Sequence, residues 1–238
     1  MIKIGHAVYD ENGKSSGGKL GDQTGREIRT QEWYVSGNGW DYLLVCLDKA
    51  LAEKAAAIMS AICSNNAYGY SQTARWTGYN SIEANGGNIA KGKGDFDCSS
   101  LVLSCYIFAG LNIPADGYTG NLRSKLVATG KFKAYKASKY VSTDAYAERG
   151  ALYLREGHHV CMSLEAGSKK QTLKVKYFAK YTGKSASIVD ALNYLHETST
   201  FTYRASIARA NGITIYAGTA AQNTKLLSLL KEGKLIKP

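Results

Sequence analysis

The stretch Gly94-Asp95-Phe96-Asp97-Cys98-Ser99-Ser100-Leu101-Val102 decides the reading of this chain. A glycine-led approach delivers Cys98 to the first turn of an apolar helix that runs on as Leu-Val-Leu-Ser-Cys-Tyr-Ile-Phe-Ala and stops at Gly110. A helix N-terminus carries partial positive charge, which favours a thiolate over a thiol. Cys98, Leu101, Val102, Cys105 and Ala109 fall on one helical stripe, so Cys105 reads as core. Cys98 could also be a small buried residue. Its place at the helix mouth, between Asp97 and Ser99, favours a nucleophile. A straight helix separates residues 98 and 105 by about 10.5 Å, beyond the roughly 7 Å that a disulfide spans.

Downstream, Ala151–Leu154 and His159–Leu164 read as strands joined by the turn Arg155-Glu156-Gly157. The second strand opens on Gly157-His158-His159-Val160 and supplies a candidate base. Neighbouring strand residues face opposite sides, so only one of the two histidines can aim at Cys98.

The rest of the chain falls into two parts. Residues 2–9, 27–35 and 42–47 read as strands, separated by the glycine-rich loop 10–25. Residues 48–63 read as a helix capped by Asp48, with Leu51, Ala55, Ile58 and Ile62 on one face. Tyr68, Tyr70, Trp76 and Tyr79 read as loop residues, and residues 119–129 as a further helix. The expected division is a catalytic domain at 1–167, a linker at 168–176 and a helical module at 177–238. In the module, Ile188, Ala191, Leu192 and Leu195 mark one helix, residues 203–210 a second and residues 220–231 a third.

Composition narrows the class. The chain has 238 residues, 45% hydrophobic and 21% charged, ordinary for a globular protein. Five cysteines without a CxxC pair indicate neither a disulfide framework nor a zinc ribbon, which suits a reducing compartment. No apolar run is long enough to span a bilayer, and the opening lacks a signal-peptide pattern. Synthesis in the cytoplasm is the expectation, and any action outside the cell needs another exit route. Residues 168–238 hold 12 of the 30 Lys+Arg and 3 of the 19 Asp+Glu, so they carry +9 of the net +11. Such a basic tail suits an anionic partner. Tyr177, Phe178, Tyr181, Tyr194, Phe201, Tyr203 and Tyr216 lie among its lysines, some to fill a small core and others to stack on sugar faces.

These strings carry a resemblance. DFDCSSLV resembles the nucleophile motif of NlpC-type, papain-like cell-wall cysteine hydrolases, and EGHHVCMSLEAG resembles their histidine strand. The opening HAVYDENGKSSGGKLGDQTGREIRTQEWY looks like the N-terminal signature of phage and prophage endolysins in this group, which act as peptidoglycan amidases or endopeptidases. The end, from YFAKYTGKSASIVDALNYL to LLKEGKLIKP, is similar to a cell-wall-binding module that also follows phage muramidase-type domains. The resemblance implies an α+β fold: a papain-like domain, in the usual or a permuted strand order, with a small C-terminal helical module. It implies Cys98 as nucleophile and His159 as base, with His158 as fallback. The family takes its orienting polar residue from the strand after the histidine strand, but here the chain enters the linker too soon. Ile4-Gly5-His6-Ala7 looks like that strand placed at the N-terminus, which implies His6 as the third member. Glu165 shares a strand face with His159 but lies roughly 20 Å along it, too far for a hydrogen bond.

Asp97 and Ser99 are expected to position the stem peptide. Asp22 and Gln23 are expected either to line the same groove or to form a structural turn. The expected reaction is cleavage of the muramoyl–L-alanine amide, with a cut inside the stem peptide as the alternative. The expected partners are peptidoglycan and an anionic wall polymer, with no cofactor and no metal. Two other readings compete. A basic nucleic-acid-binding protein would leave the cysteine and histidine strings unexplained. A metal site from Cys98, His158, His159 and Cys161 would need ligands from both faces of one strand.

Overall fold

The computed structural model describes residues 1–169, 176–213 and 215–238. The chain divides into two compact units, Met1–Gln171 and Thr172–Pro238. Of the linker expected at 168–176, residues 170–175 lie outside the described residues. Lys169 still belongs to the first unit, where its N–H donates to the Ala145 carbonyl.

The first unit is α+β. In chain order it contains β1 (Lys3–Ala7), β2 (Ile28–Glu32), β3 (Tyr42–Cys46), α1 (Lys49–Cys63), β4 (Tyr68–Tyr70), α2 (Thr77–Ala84) and β5 (Gly94–Phe96). There follow α3 (Cys98–Ala109), α4 (Leu122–Ala128), β6 (Phe132–Tyr135), α5 (Ser138–Val141), β7 (Leu152–Arg155) and β8 (His159–Ser163). Six strands form one sheet in the order β2-β1-β8-β7-β3-β6, antiparallel throughout. Both faces are covered. Ala7, Leu44, Leu152, Leu154, Val160 and Met162 share a core with α1 and α3. Ile2, Ile4, Leu43, Val45, Tyr153 and Cys161 point the other way, against Trp33 and Trp40. The two-residue alternation of side chains along each strand sorts these sets.

Local signals place several elements. Asp48 caps α1 by accepting from the Leu51 N–H at 3.1 Å. Gly110 ends α3 at φ 113°, a left-handed conformation that glycine adopts freely. The stripe Cys98, Leu101, Val102 and Cys105 is buried, Cys105 as core, and so is every other residue from Cys98 to Tyr106, so this part of α3 is enclosed on all sides. The helix expected at 119–129 is shorter, beginning at Leu122.

The stretch expected as a loop around Tyr68–Tyr79 is also corrected. It forms β4, a buried strand paired in parallel with β5, and then α2. Three residues carry no periodicity, and the partner strand lies across an intervening helix, so nothing local announces the pairing. Gly69 lets the glycine-rich loop close on β4, because a Cβ there would sit 2.3 Å from the Gly21 carbonyl oxygen.

The second unit packs α6 (Ile188–Tyr194), α7 (Phe201–Ala210) and α8 (Ala220–Glu232). Ser187, Thr200 and Thr219 cap the three helices. Ile188, Ala191, Leu192, Ile207, Leu226, Leu230 and Leu235 close the core with Phe178 and Tyr181. Of the seven aromatic residues expected to divide between core and surface, these two are buried. Tyr177, Tyr194 and Phe201 are exposed. Among the described residues no helix is long and apolar enough to cross a membrane.

Candidate active site

β1 lies beside β8, with Ile4 opposite Ser163 and Gly5 opposite Met162. Continuing that register puts His6 opposite Cys161 and diagonal to His159 on one sheet face. The two rings meet there: His6 Nδ1 is 3.2 Å from His159 Nε2, in a hydrogen bond whose direction depends on tautomer. Trp40 stacks on His159 with ring centroids 6.0 Å apart, and Tyr34 packs against His6. His158 is exposed in the turn before the strand. Glu165 accepts from the Lys3 N–H and takes no part in the pair.

Burial controls the charge of both rings. It holds His159 down to about 4, against a weak upward pull from Asp97. It holds His6 down to about 3, helped by His159 and by the Arg29 charge. The Gln31 amide lies beside the His6 ring, whose Nε2 is buried without an aligned partner. Both imidazoles are therefore neutral at pH 7.

Cys98 is the first residue of α3 and is 7% exposed. The Val160, Ser99 and Cys98 backbone N–H groups act on its sulfur and favour the thiolate. Burial and the neighbouring Asp97 charge outweigh them and push the thiol up to about 12. The resting site is thus a neutral thiol beside a neutral imidazole pair. Among the described residues no hydrogen bond joins the thiol to either imidazole. The Val160 N–H at the sulfur belongs to the residue after His159.

Asp97 and Ser99 serve the helix rather than standing free for a ligand. The Asp97 carboxylate accepts from the Ser100 N–H at 2.6 Å and the Ser99 hydroxyl at 2.9 Å. Its second oxygen takes Arg75 Nη1 at 2.7 Å. The Ser100 hydroxyl accepts in turn from the Asp97 N–H, which completes a capping box. Arg75, which sequence reading passed over, also donates to the Gly117 carbonyl and lies over the Trp76 ring. No sequence pattern links residues 75 and 97. Asp97→Ala should remove the cap and leave Arg75 unpaired. We expect a loss of about 2–3 kcal/mol in the first unit's unfolding free energy, read by denaturant titration, with most of it restored in Asp97→Asn.

The Asp22 and Gln23 side chains build a turn. The Asp22 carboxylate accepts from the backbone N–H groups of Thr24, Gly25, Arg26 and Glu27. The Gln23 amide donates to the Leu20 and Gly21 carbonyls. Buried Glu27 ties this loop to β4, accepting from the Gln23 and Tyr70 N–H groups. The loop is thereby held near the thiol, since Tyr70 lies within electrostatic range of Cys98. Cys161 is fully buried in the second core, and among the described residues no three His, Cys, Asp or Glu side chains form a metal-ligand group.

The site thus holds a buried cysteine at a helix N-terminus beside a strand that presents a paired imidazole. Residues 4–170 match the family model described as endolysin-like domain, so the chain belongs to that family and is a peptidoglycan hydrolase acting on the cell wall. No curated protein and no solved structure matches the chain.

Proposed function

We propose that the first unit is a papain-like, permuted NlpC-type domain that cuts a stem-peptide amide with Cys98 as nucleophile, His159 as general base and His6 as its orienting partner. The observation that carries this reading is the His6–His159 hydrogen bond at the start of β8, the strand on which the Cys98 helix packs. With the thiol near 12 and the imidazole near 4, the proton rests on sulfur. That favours proton transfer during attack over a preformed thiolate–imidazolium pair.

His159 must be unprotonated on the nitrogen facing the sulfur. Nδ1 is that nitrogen, because Nε2 is engaged by His6. The Nε2–H then donates to His6 Nδ1. As the substrate enters, His159 Nδ1 takes the thiol proton while sulfur bonds to the amide carbon. The Cys98 and Val160 N–H groups are suited to the developing oxyanion. His159 passes the proton to the leaving amine as the C–N bond breaks. Water, deprotonated by His159, then cleaves the thioester and restores the thiol. The imidazole–thiol contact tightens in the substrate complex.

The resemblance of the opening string to phage lysins favours the muramoyl–L-alanine amide as the bond cut. The second unit is proposed to hold an anionic wall polymer through exposed Tyr177, Tyr194 and Phe201 and its lysines. Mass spectrometry of fragments released from purified peptidoglycan tests both the activity and the bond. We expect stem peptides with a free L-alanine amino group. Cuts within the stem would replace the amidase by an endopeptidase, and no release at all would overturn the hydrolytic role of this site.

A further inference from the structure

Beside the thiol–imidazole site lies an open pocket of about 320 Å³ whose lining includes Tyr9, Thr24, Arg26 and Arg29. We propose that it holds a free carboxylate of the stem peptide, so that the enzyme prefers stems bearing a carboxylate there over amidated ones. This rests on the function proposed above and adds its substrate class.

The fold puts this pocket next to the site. Arg29 is the cross-strand partner of His6, so the two side chains leave the sheet on the same face. Its charge reaches the His6 ring and the Tyr34 hydroxyl. Tyr9 packs on Tyr70 with ring centroids 6.5 Å apart, and both Tyr70 and Tyr34 are within electrostatic range of Cys98. A substrate with its amide at Cys98 therefore extends over Tyr70 and Tyr9 toward the two arginines.

The arginines are available to an anion. Arg29 Nη1 donates to the Arg26 carbonyl at 2.8 Å and Nε to Gln31 at 3.0 Å, which aims the guanidinium and leaves Nη2 over. Among the described residues neither arginine forms a salt bridge, and the Arg26 guanidinium has no hydrogen-bond acceptor. The pocket also has two carboxylates in its lining, Asp10 and Glu11, but both turn into their own loop. Asp10 accepts from the N–H groups of Asn12, Lys14 and Gly17. Glu11 Oε1 accepts from the Lys19 N–H, and its Oε2 is buried against Gly18 with no hydrogen-bond partner, out of reach of a ligand in the open pocket. The unspent donors in the pocket are thus cationic, and two guanidinium groups match a carboxylate better than a neutral amide.

The test uses two synthetic muramoyl peptides identical except that the α-carboxyl of the γ-linked glutamate is free in one and a carboxamide in the other. The full chain should turn over the free acid with kcat/KM about tenfold or more above the amide. Arg26→Gln, whose exposed side chain holds nothing in the fold, should bring that ratio toward one, mainly through KM, and Arg26→Lys should restore part of it. Equal rates on both peptides, or a preference that survives Arg26→Gln, would sink the carboxylate pocket and leave the hydrolase standing. Cleavage of neither peptide would sink both.

Discussion

Cys98→Ala should bring fragment release from purified peptidoglycan below detection, a loss on the order of 10⁴-fold or more. Among the described residues the other candidates are engaged: the two imidazoles are hydrogen-bonded to each other, and the Ser99 and Ser100 hydroxyls beside the proposed nucleophile are held in the Asp97 cap. The fold should survive. The cap and capping box come from Asp97 and Ser100, and the substitution removes one sulfur from a nearly buried position. We expect a stability cost of about 1 kcal/mol. Co-sedimentation of the variant with intact walls should match the parent chain, since the second unit carries the proposed wall contacts. Lysis retained by Cys98→Ala would remove the cysteine mechanism altogether.

His6→Ala should lower kcat about a hundredfold or more while changing KM little, because it frees His159 Nε2 and with it the ring's tautomer and aim. His6→Gln, whose amide oxygen can accept from Nε2–H, should recover part of the loss. The pH dependence separates orientation from mere packing. In the parent chain the base is held near 4, so kcat/KM should stay flat through pH 6.5 and fall only as the pH approaches 4. Opening the His6 site to water should move that acid limb upward. Stability adds a second readout. Both histidines titrate lower in the folded chain than the ordinary 6.5. Below pH 6.5 the unfolded chain takes up protons that the folded chain refuses. Stability is therefore full above 6.5 and falls as the pH drops toward 3–4, by about 1.4 kcal/mol per unit for each group. His6→Gln removes one of the two contributions, so its melting temperature should depend less on pH between 4 and 6.5. An unchanged acid limb and an unchanged melting profile would contradict the role given to His6.

The legible parts of this protein were those whose causes are local. The Asp48 cap, the glycine stop at Gly110 and the three helices after residue 187 each follow from a few neighbouring residues. Strand alternation allowed only one of the two histidines to face the thiol, and the family resemblance chose His159; His158 lies exposed in the turn before the strand. Arg75 and Glu27 were missed because their carboxylate and backbone partners lie 22 and 43 residues away, with no repeat to mark them. The strand pair β4–β5 was missed for the same reason.

By itself the sequence determined that a cysteine opens an apolar helix and that a histidine begins a late strand. Helix caps and strand alternation act over a few residues, and their free energies belong to those residues whatever surrounds them. Tertiary structure alone decided which groups meet. Pairing β1 with β8 brings together two imidazoles 153 positions apart. Burial in the packed sheet then sets the charge of the thiol and both rings, because desolvation depends on everything packed around a group and on nothing in its own neighbourhood of the chain.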